Sequence, residues 1–260
     1  MKQSVERRQA ITKNLEDLSI PYTLVEGVVG HTLDAKSIQK IYDARRRLKY
    51  YGKALTSGEL GCMYSHYSIY QQMVEQRIER AIILEDDALV RRDFIDIVNK
   101  IVTFPFSWDL IRFSTNKKVY RLVRNLGLVY HHYSLVRMLS TGGNATCNLI
   151  SMNGAKILIK QLQAGNIFPI DVLHAQVWKT ALKVYEVMPS PVSLNPFPPL
   201  IGEKRFNKEL EIAGAQKLMY PIYKFLRKYV MTLGKRWVFI LAWWRDLAVK
   251  KAIQGRCSTE

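Results

Sequence analysis

The sequence predicts an α/β protein, and three consecutive features indicate this class. Apolar residues recur at helical spacing over 57–73, and Ser57 at the beginning of this pattern is a typical helix-capping residue. An isoleucine-rich apolar run, 81–84, follows and is too short for a helix, so we expect a strand buried on both faces. Three carboxylates, Glu85, Asp86 and Asp87 (the acidic triplet), come directly after it. Helix followed by strand is typical of α/β proteins, whose ligands bind beyond the carboxyl ends of the strands.

The other predicted elements alternate along the chain. Helical spacing predicts helices over 7–18, 93–101 and 153–162. Short runs with strand-like composition predict strands over 22–30, 107–113, 146–151 and 184–187. The basic segment 36–51 is either a surface helix or a mobile loop. The proline-rich segment 189–199 is a boundary, so we divide the chain into a domain over 1–200 and an extension over 201–260.

Composition and charge limit the classes of partner. Of the 260 residues, 48% are hydrophobic, which supplies an ample core and excludes a disordered protein. The net charge of +17 indicates an anionic partner: nucleic acid, anionic lipid or a phosphorylated substrate. Cys62, Cys147 and Cys257 are too widely spaced for a disulfide framework or a zinc cluster, which favours a reducing compartment. The first residues lack the apolar core of a signal peptide, and no apolar run is long enough to span a bilayer.

The extension over 201–260 has a composition of its own. Lys and Arg dominate it, acids are few, and aromatic side chains cluster there, including Trp237, Trp243 and Trp244. Helical segments with this mixture suit the headgroup layer of an anionic membrane. Nucleic-acid binding is a rival interpretation, but three tryptophans beside Ile240 and Leu241 are more apolar than phosphate contacts need. A packed helix that completes the domain, or a dimer interface, is a further alternative.

The acidic triplet predicts a metal site. Adjacent carboxylates repel one another unless a cation neutralises them or one of them stays protonated. Oxygen ligands alone suit a hard divalent ion such as Mg²⁺ or Mn²⁺. We therefore expect the triplet to bind a metal that holds a phosphate-bearing substrate. The alternative is a solvated acidic turn after a strand.

Four segments match the signatures of one protein family. Residues 58–66 match its "GExGCxxSH" pattern, 82–87 its "ILEDD" pattern, 148–155 its "YLIS..GA" pattern and 169–171 its "PVD" pattern. Over about residues 4–191 the chain therefore resembles glycosyltransferase family 25, which includes bacterial lipooligosaccharide glycosyltransferases and collagen galactosyltransferases. Its size and basic extension are similar to the bacterial branch. Two departures are Asn148 in place of the family's tyrosine, and residues 1–3 in place of the family's first strand.

The resemblance implies a fold, a donor and a cofactor. It implies a GT-A-like nucleotide-sugar-binding domain with a mostly parallel central sheet, and transfer of a hexose from a UDP-sugar. It also implies a divalent cation, Mn²⁺ or Mg²⁺, which Asp87 and Glu85 would bind. The residues that it assigns to the donor pocket are Arg7, Arg8, Glu59, His66, Glu85 and Gly143.

Five of the six donor-pocket assignments, all except Glu85, have a simpler structural alternative. Glu59 lies in a first helical turn, where a carboxylate suits the helix dipole. His66 is alternatively explained as a hydrogen-bonded core histidine. The alternative for Arg7 and Arg8 is an exposed helix start, and for Gly143 a turn of the chain.

Two carboxylates are the catalytic candidates. Loss of the sugar from its donor passes through an oxocarbenium-like state, which a nearby carboxylate stabilises. If transfer inverts the anomeric configuration, one base must also deprotonate the acceptor hydroxyl. We assign Asp86 and Asp171 to catalysis, with Asp171 as the candidate base. The alternative for Asp171 is a helix N-cap beside Pro169.

Together these inferences predict an inverting, metal-dependent hexosyltransferase. We expect transfer of galactose from UDP-galactose to a lipooligosaccharide core acceptor, with glucose as the other candidate sugar. The lipid-linked acceptor gives the basic extension a purpose, which is to hold a cytoplasmic enzyme at the inner face of the inner membrane. Nucleic acid is not an expected partner. The alternative is an inactive or truncated paralogue that binds a membrane or a protein partner.

Overall fold

Helices and strands alternate through the computed structural model, which describes residues 4–114, 122–140, 144–197 and 209–257. The helices are α1 (Val5–Asp17), α2 (Ala35–Ile41), α3 (Ala44–Tyr51), α4 (Ser57–Glu75), α5 (Phe94–Thr103), α6 (Met152–Gln163), α7 (Ile170–His174), α8 (Val177–Thr180), α9 (Gly214–Leu241) and α10 (Trp243–Cys257). The strands are β1 (Arg80–Leu84), β2 (Ala88–Val90), β3 (Leu110–Arg112), β4 (Val123–Tyr130), β5 (Tyr133–Met138), β6 (Cys147–Ser151), β7 (Val184–Met188) and β8 (Val192–Leu194). The predicted α/β class is confirmed.

The central sheet is mostly antiparallel, and the predicted mostly parallel sheet is wrong. Its strand order is β1-β6-β3-β7-β5-β4. Only β3 and β7 run parallel, whereas the other four neighbouring pairs are antiparallel. The difference has two causes: β6 enters between β1 and β3 against the direction of both, and β4 and β5 form a hairpin. A separate antiparallel pair joins β2 to β8.

Strand β1 is less buried than its apolar sequence predicts. It lies at one edge of the sheet, and of its five residues only Ile83 is buried. The expectation of burial on both faces is therefore wrong, because β1 pairs on one side only, with β6, within the described sheet.

Helices cover both faces of the sheet. In β3, β6 and β7, alternate residues enter two different core clusters, as expected for successive side chains of a strand. One cluster combines Ile111, Leu149 and Tyr185 with residues of α1, α5 and α10. The other combines Leu110 and Ile150 with residues of α2, α4, α6 and α7.

The structure corrects two local predictions and decides a third, the basic segment, in favour of helix. The residues before the 3-10 helix Gly30–Thr32 form no strand, although one was predicted over 22–30. The basic segment forms two helices, α2 and α3, which the side chains of Asp34 and Asp43 cap. The N-cap of α4 is Thr56 rather than Ser57.

The C-terminal helices confirm the predicted helical extension and pack against the sheet domain. Along one face of α9, the Tyr220 hydroxyl donates to the Tyr51 carbonyl oxygen at 2.9 Å. The Lys235 ammonium donates to the Ser140 hydroxyl at 3.0 Å. Helix α10 forms part of the hydrophobic core, because its Ile253 is buried in one of the two core clusters. The packed-helix alternative therefore holds for α10 and for one face of α9. Within the described ranges, no helix has both the length and the apolar content that a membrane span requires.

Candidate functional site

One large cavity contacts every predicted site residue that the structure describes. Its volume is about 2320 Å³, and it lies beside β1, between the start of α1 and the first half of α4. The predicted residues in its wall are Arg7, Arg8, Glu59, His66, Glu85, Asp86, Asp87 and Asp171. Gly143 lies outside the described residues. The sequence assignments therefore converge on one place, although they come from four separate segments of the chain.

Arg7 pairs with the acidic triplet. Its Nη1 atom lies 2.8 Å from Asp86 Oδ1 and 3.6 Å from Asp87 Oδ2. The residue is only 8% exposed, so the interpretation of Arg7 as part of an exposed helix start is wrong. Arg8 is exposed and also lies in the cavity wall. A side chain of the protein therefore neutralises part of the charge that sequence reasoning left to a metal or a proton.

Asp87 carries the strongest sign of a cation site. Burial, together with the neighbouring charges of Glu85 and Asp86, raises the pKa of Asp87 to about 6, and Arg7 opposes this shift. Its Oδ1 atom is buried and accepts no hydrogen bond from any described residue. A buried carboxylate oxygen without a protein donor is satisfied by a bound water molecule or by a hard cation. The triplet is also partly buried rather than a solvated turn. Asp87 and Glu85 therefore fit a divalent ion, which they would bind through carboxylate oxygens.

Glu59 is held by its own helix terminus. The Thr56 hydroxyl accepts from the Glu59 backbone amide at 3.2 Å, and Glu59 Oε2 accepts from the Thr56 amide at 2.9 Å. These reciprocal bonds form a capping box, which satisfies two amides that a helix start leaves free. The structural alternative thus explains the position of Glu59, and a role in donor binding remains a prediction.

His66 lies in a buried chain of polar side chains on the cavity side of α4. Tyr70 Oη lies 3.3 Å from His66 Nδ1 and 2.8 Å from His174 Nε2. Burial, with the neighbouring His66 ring and the Arg112 guanidinium adding to it, holds the pKa of His174 well below its ordinary value, so His174 is neutral. On the other side of the ring, His66 Nε2 lies 3.7 Å from Glu85 Oε1.

Sequence reasoning missed Tyr70, His174 and Cys62 as neighbours of His66. A signal for two of them was present, because Cys62, His66 and Tyr70 recur every four residues and so share one helix face. His174 lies far along the chain on α7, and no spacing rule predicts that contact.

Asp171 lies in the first turn of α7 and is 7% exposed. Its Oδ1 atom accepts a hydrogen bond from the Val172 amide at 2.8 Å. The N-cap position is Pro169, so the interpretation of Asp171 as the helix N-cap is wrong. Asp171 instead lies in the wall of the same cavity as the acidic triplet, as the catalytic assignment requires.

Comparison with known proteins places the chain among the glycosyltransferases. More particularly, it belongs to glycosyltransferase family 25, because the model of that family, described as an LPS biosynthesis protein, matches residues 1–174. This match confirms the resemblance found in the sequence.

Its curated relatives include proteins named as galactosyltransferases and proteins named as inactive. Procollagen galactosyltransferase 1-B of Xenopus laevis is 26% identical over 66% of this chain and 29% of its own length. Procollagen galactosyltransferase 2 of Homo sapiens is 25% identical over 66% of this chain and 28% of its own length. The probable inactive glycosyltransferase 25 family member 3 of Rattus norvegicus is 29% identical over 64% of this chain and 30% of its own length. The chain thus spans less than a third of the length of these relatives.

Proposed function

We propose that the chain transfers a hexose, with galactose as the first candidate, from a UDP-sugar to a lipooligosaccharide core acceptor. The observation that carries this proposal is the buried oxygen of Asp87, which has no donor among the described residues, in the cavity that also contains Asp171. Family membership supports glycosyl transfer, and the names of the procollagen relatives support galactose. The description of the family as an LPS biosynthesis protein supports the acceptor class.

In this proposal Asp87 and Glu85 bind Mn²⁺ or Mg²⁺. When bound, such an ion offsets the negative charge that develops on the departing nucleoside diphosphate. Arg7 holds the Asp86 and Asp87 carboxylates in place, since its guanidinium contacts both. Arg8 is exposed in the cavity wall, where its charged guanidinium can bind the phosphates of the donor.

The remaining roles concern the sugar and its acceptor. Asp171 accepts the proton of the acceptor hydroxyl, which corresponds to an inverting reaction. The Asp86 carboxylate stabilises positive charge near the anomeric carbon. Glu59 and His66 shape the donor side of the cavity, from the first half of α4. Gly143 keeps its assignment to the donor pocket as a prediction from the resemblance alone.

The first experiment measures thermal stabilisation by UDP with and without Mn²⁺. Ligand at a hundredfold excess over its dissociation constant stabilises a fold by about 2.7 kcal/mol. We expect stabilisation only when Mn²⁺ is present, and its loss in Asp87→Asn. The matched control is Glu79→Gln, which removes an exposed acid near β1 and leaves the triplet intact. Hydrolysis of UDP-galactose and UDP-glucose then identifies the donor sugar.

A binding protein without transferase activity is the second candidate. Relatives named as inactive match this chain at identities similar to those of the galactosyltransferases, which favours this candidate. If UDP binds with Mn²⁺ but no UDP-hexose is consumed with any acceptor, the second candidate replaces the first. If UDP does not bind at all, the donor site proposed above is wrong.

We also propose that α9 rests on an anionic membrane surface, at the inner face of the inner membrane, where a lipid-linked acceptor lies. Opposite its packed face, α9 and the start of α10 expose apolar side chains at helical spacing, which we call the apolar stripe: Leu218, Ile222, Phe225, Tyr229, Leu233, Trp237, Ile240 and Trp244. Trp237 is 64% exposed and Trp244 is 80% exposed. A stripe of this length exceeds what single exposed apolar residues account for.

Charge distinguishes a membrane from a second copy of the chain. Helix α9 contains six basic residues and no acid: Lys217, Lys224, Arg227, Lys228, Lys235 and Arg236. Arg227 and Lys235 donate to the Tyr50 carbonyl and the Ser140 hydroxyl of the sheet domain, and the other four are exposed. Two such helices would repel each other, whereas anionic headgroups attract them. The stripe and its charges therefore favour an amphipathic helix in the headgroup layer.

Vesicle binding tests this surface. Removal of the whole extension would unfold the core, because α10 is part of it, so point substitutions are preferable. We expect binding to phosphatidylglycerol vesicles and not to phosphatidylcholine vesicles, and its loss when Phe225, Trp237 and Ile240 are changed to Ser. The control changes three exposed leucines elsewhere to Ser: Leu24, Leu128 and Leu194. The proposal would be overturned if the triple Ser variant of the stripe bound vesicles as well as the natural chain. It would also be overturned if the natural chain and the control variant formed a dimer and the stripe variant did not.

A further inference from the structure

A second group of potential metal ligands lies next to the acidic triplet, on the side of α4. Cys62 Sγ lies 3.7 Å from Glu85 Oε1, and His66 Nε2 lies 3.7 Å from the same oxygen. One ligand atom from each of Cys62, His66 and Glu85 lies within 4.8 Å of the other two. We call these three residues the thiol cluster.

The fold places the thiol cluster by simple rules. Cys62 and His66 are four residues apart on α4, so their side chains lie on one face of the helix, one turn apart. Glu85 is the first residue after β1, and its backbone amide donates to the Thr146 carbonyl oxygen at 2.8 Å. Two rigid elements thus fix the three ligands relative to one another.

The spacing of the ligand atoms fits a tetrahedral ion. Zinc binds sulfur at about 2.3 Å and nitrogen or oxygen at about 2.0–2.2 Å, so adjacent ligand atoms lie roughly 3.3–3.6 Å apart. The two separations of 3.7 Å to Glu85 need only a small contraction. The third, between Cys62 and His66, lies within 4.8 Å and needs a movement of at most about 1.2 Å to reach the tetrahedral value. Cys62 and Glu85 are half-buried and lie in the cavity wall, so a metal ion and a fourth ligand can reach the cluster from solvent.

Tyr70 and His174 orient the His66 ring. A metal-binding imidazole commonly uses its other nitrogen in a hydrogen bond that fixes the ring and its tautomer. His66 has this arrangement, since Nδ1 contacts Tyr70 Oη and leaves Nε2 directed at Glu85. The hydroxyl of Tyr70 in turn contacts His174 Nε2, and all three side chains are buried. His66 is therefore oriented before any ion binds.

We propose that Cys62, His66 and Glu85 bind a zinc ion, with a fourth coordination position open to the cavity. Thiolate and imidazole ligands select a borderline ion such as Zn²⁺, whereas the carboxylates around Asp87 select Mg²⁺ or Mn²⁺. The Cys62 thiol releases its proton to solvent when the metal binds. The spacing of the three cysteines did not predict this site, because only one of its ligands is a cysteine. The zinc site shares Glu85 with the proposed Mn²⁺ or Mg²⁺ site, but its test measures metal binding to Cys62 and requires no transferase activity.

Cobalt is the probe that distinguishes the two kinds of metal site. Co²⁺ replaces Zn²⁺ in tetrahedral sites, and bonding to a thiolate gives a sulfur-to-cobalt charge-transfer band in the near ultraviolet. We expect this band when Co²⁺ is added to the reduced, metal-free full chain, and its loss when one equivalent of Zn²⁺ follows. Cys62→Ser removes the band, whereas Cys147→Ala, the matched change at a cysteine buried elsewhere, retains it.

A second variant keeps the test decisive if Cys62→Ser folds poorly. Glu85→Gln retains the thiolate band but lowers the affinity for Co²⁺ at least tenfold. As an independent readout, Zn²⁺ slows alkylation of Cys62 by iodoacetamide, measured by mass spectrometry of its peptide. The proposal is overturned if Co²⁺ gives no thiolate band, or if the band persists without Cys62. Equal alkylation rates with and without Zn²⁺ also contradict it.

Discussion

At the scale of single residues, Arg7 determines the charge balance of the candidate site. Its guanidinium is buried against Asp86 and Asp87, where it lowers the cost of placing three carboxylates together. Removal of one member of a buried ion pair leaves the other charge without compensation, which costs more than the pair itself contributes. Arg7 is therefore both a structural residue and a neighbour of any cation bound at Asp87.

Arg7→Met is expected to lower the free energy of unfolding by about 1–3 kcal/mol, because hydrogen bonds to charged groups are lost. Urea denaturation at neutral pH measures this difference. Arg8→Met is the matched control at the next position, where the side chain is exposed, and should change stability by less than about 0.5 kcal/mol. Equal losses in the two variants would mean that the Arg7 ion pairs do not stabilise the site.

Asp87 gives the metal-free chain a defined pH dependence. Its folded pKa of about 6 lies above the ordinary value of 3.8, so folding favours the protonated form. Ionised Asp87 therefore lowers stability above pH 6, and this cost disappears as the pH falls towards 4.

Asp87→Asn removes that ionisation and is expected to stabilise the metal-free chain at pH 8. Raising the Asp87 pKa from 3.8 to about 6 corresponds to about 3 kcal/mol, which screening at a partly exposed group reduces to about 1–2 kcal/mol. The gain should shrink between pH 6 and pH 4, as measured by urea denaturation at several pH values. A gain that is constant over this range would show that ionisation of Asp87 is not its cause.

At the scale of elements, α4 connects several of the sequence signals. Its first turns contain the capping box, the buried Glu59 and the ligands Cys62 and His66. Gly61 permits close contact with the preceding segment, because a Cβ atom there would lie 2.5 Å from the Val28 carbonyl oxygen. Within the "GELGC" segment, residues 58–62, Gly61 is thus required by packing, whereas Cys62 has a proposed chemical role.

Thr56→Ala tests which residue caps α4. Loss of a side-chain N-cap costs about 1 kcal/mol, and here the reciprocal bond to Glu59 is lost as well. We expect a corresponding fall in the thermal midpoint. Ser57→Ala, at the cap position that sequence alone predicted, should change the midpoint little, because Ser57 is exposed and lies inside the helix. A larger effect of Ser57→Ala would reverse the assignment.

How much of the fold the sequence predicted depends on whether the signal was local. Helices α1, α5 and α6 were predictable from apolar spacing, and strands β3 and β6 from short apolar runs. The direction of β6 in the sheet was not predictable, because strand pairing depends on contacts with residues far along the chain, which the periodicity of one segment does not encode. The β4–β5 hairpin was also missed, because no element was predicted between residues 113 and 146.

The same distinction applies to the site. The acidic triplet and His66 were found from local motifs, and those of the assigned residues that the structure describes line one cavity. The pairing of Arg7 with Asp86 joins residues 79 positions apart, so no local pattern could show it. The Tyr70–His174 contact spans 104 positions and was missed for the same reason.

At the scale of the whole molecule, the C-terminal helices are joined to the sheet through buried charge. Asp246 of α10 accepts from Arg137 Nε at 2.8 Å and 2.9 Å, and it also pairs with Arg124 on β4. Asp246 and Arg137 are 2% and 3% exposed. The predicted division at residue 200 therefore separates two parts of the sequence that share a core cluster and an ion-pair network.

Asp246→Ala is expected to destabilise the whole chain, by about 3–5 kcal/mol, because it leaves Arg137 buried without its carboxylate partner. Since α10 fills part of the core beside the sheet, we expect a single cooperative unfolding transition whose thermal midpoint is lower than that of the natural chain. Amide hydrogen exchange should accelerate in β4, β5 and β7 as well as in α10. Lys250→Ala, at an exposed position of the same helix, is the control and should change stability by less than about 0.5 kcal/mol. If exchange accelerates in α9 and α10 alone, the extension is an independent unit, and the network at Asp246 does not couple it to the sheet.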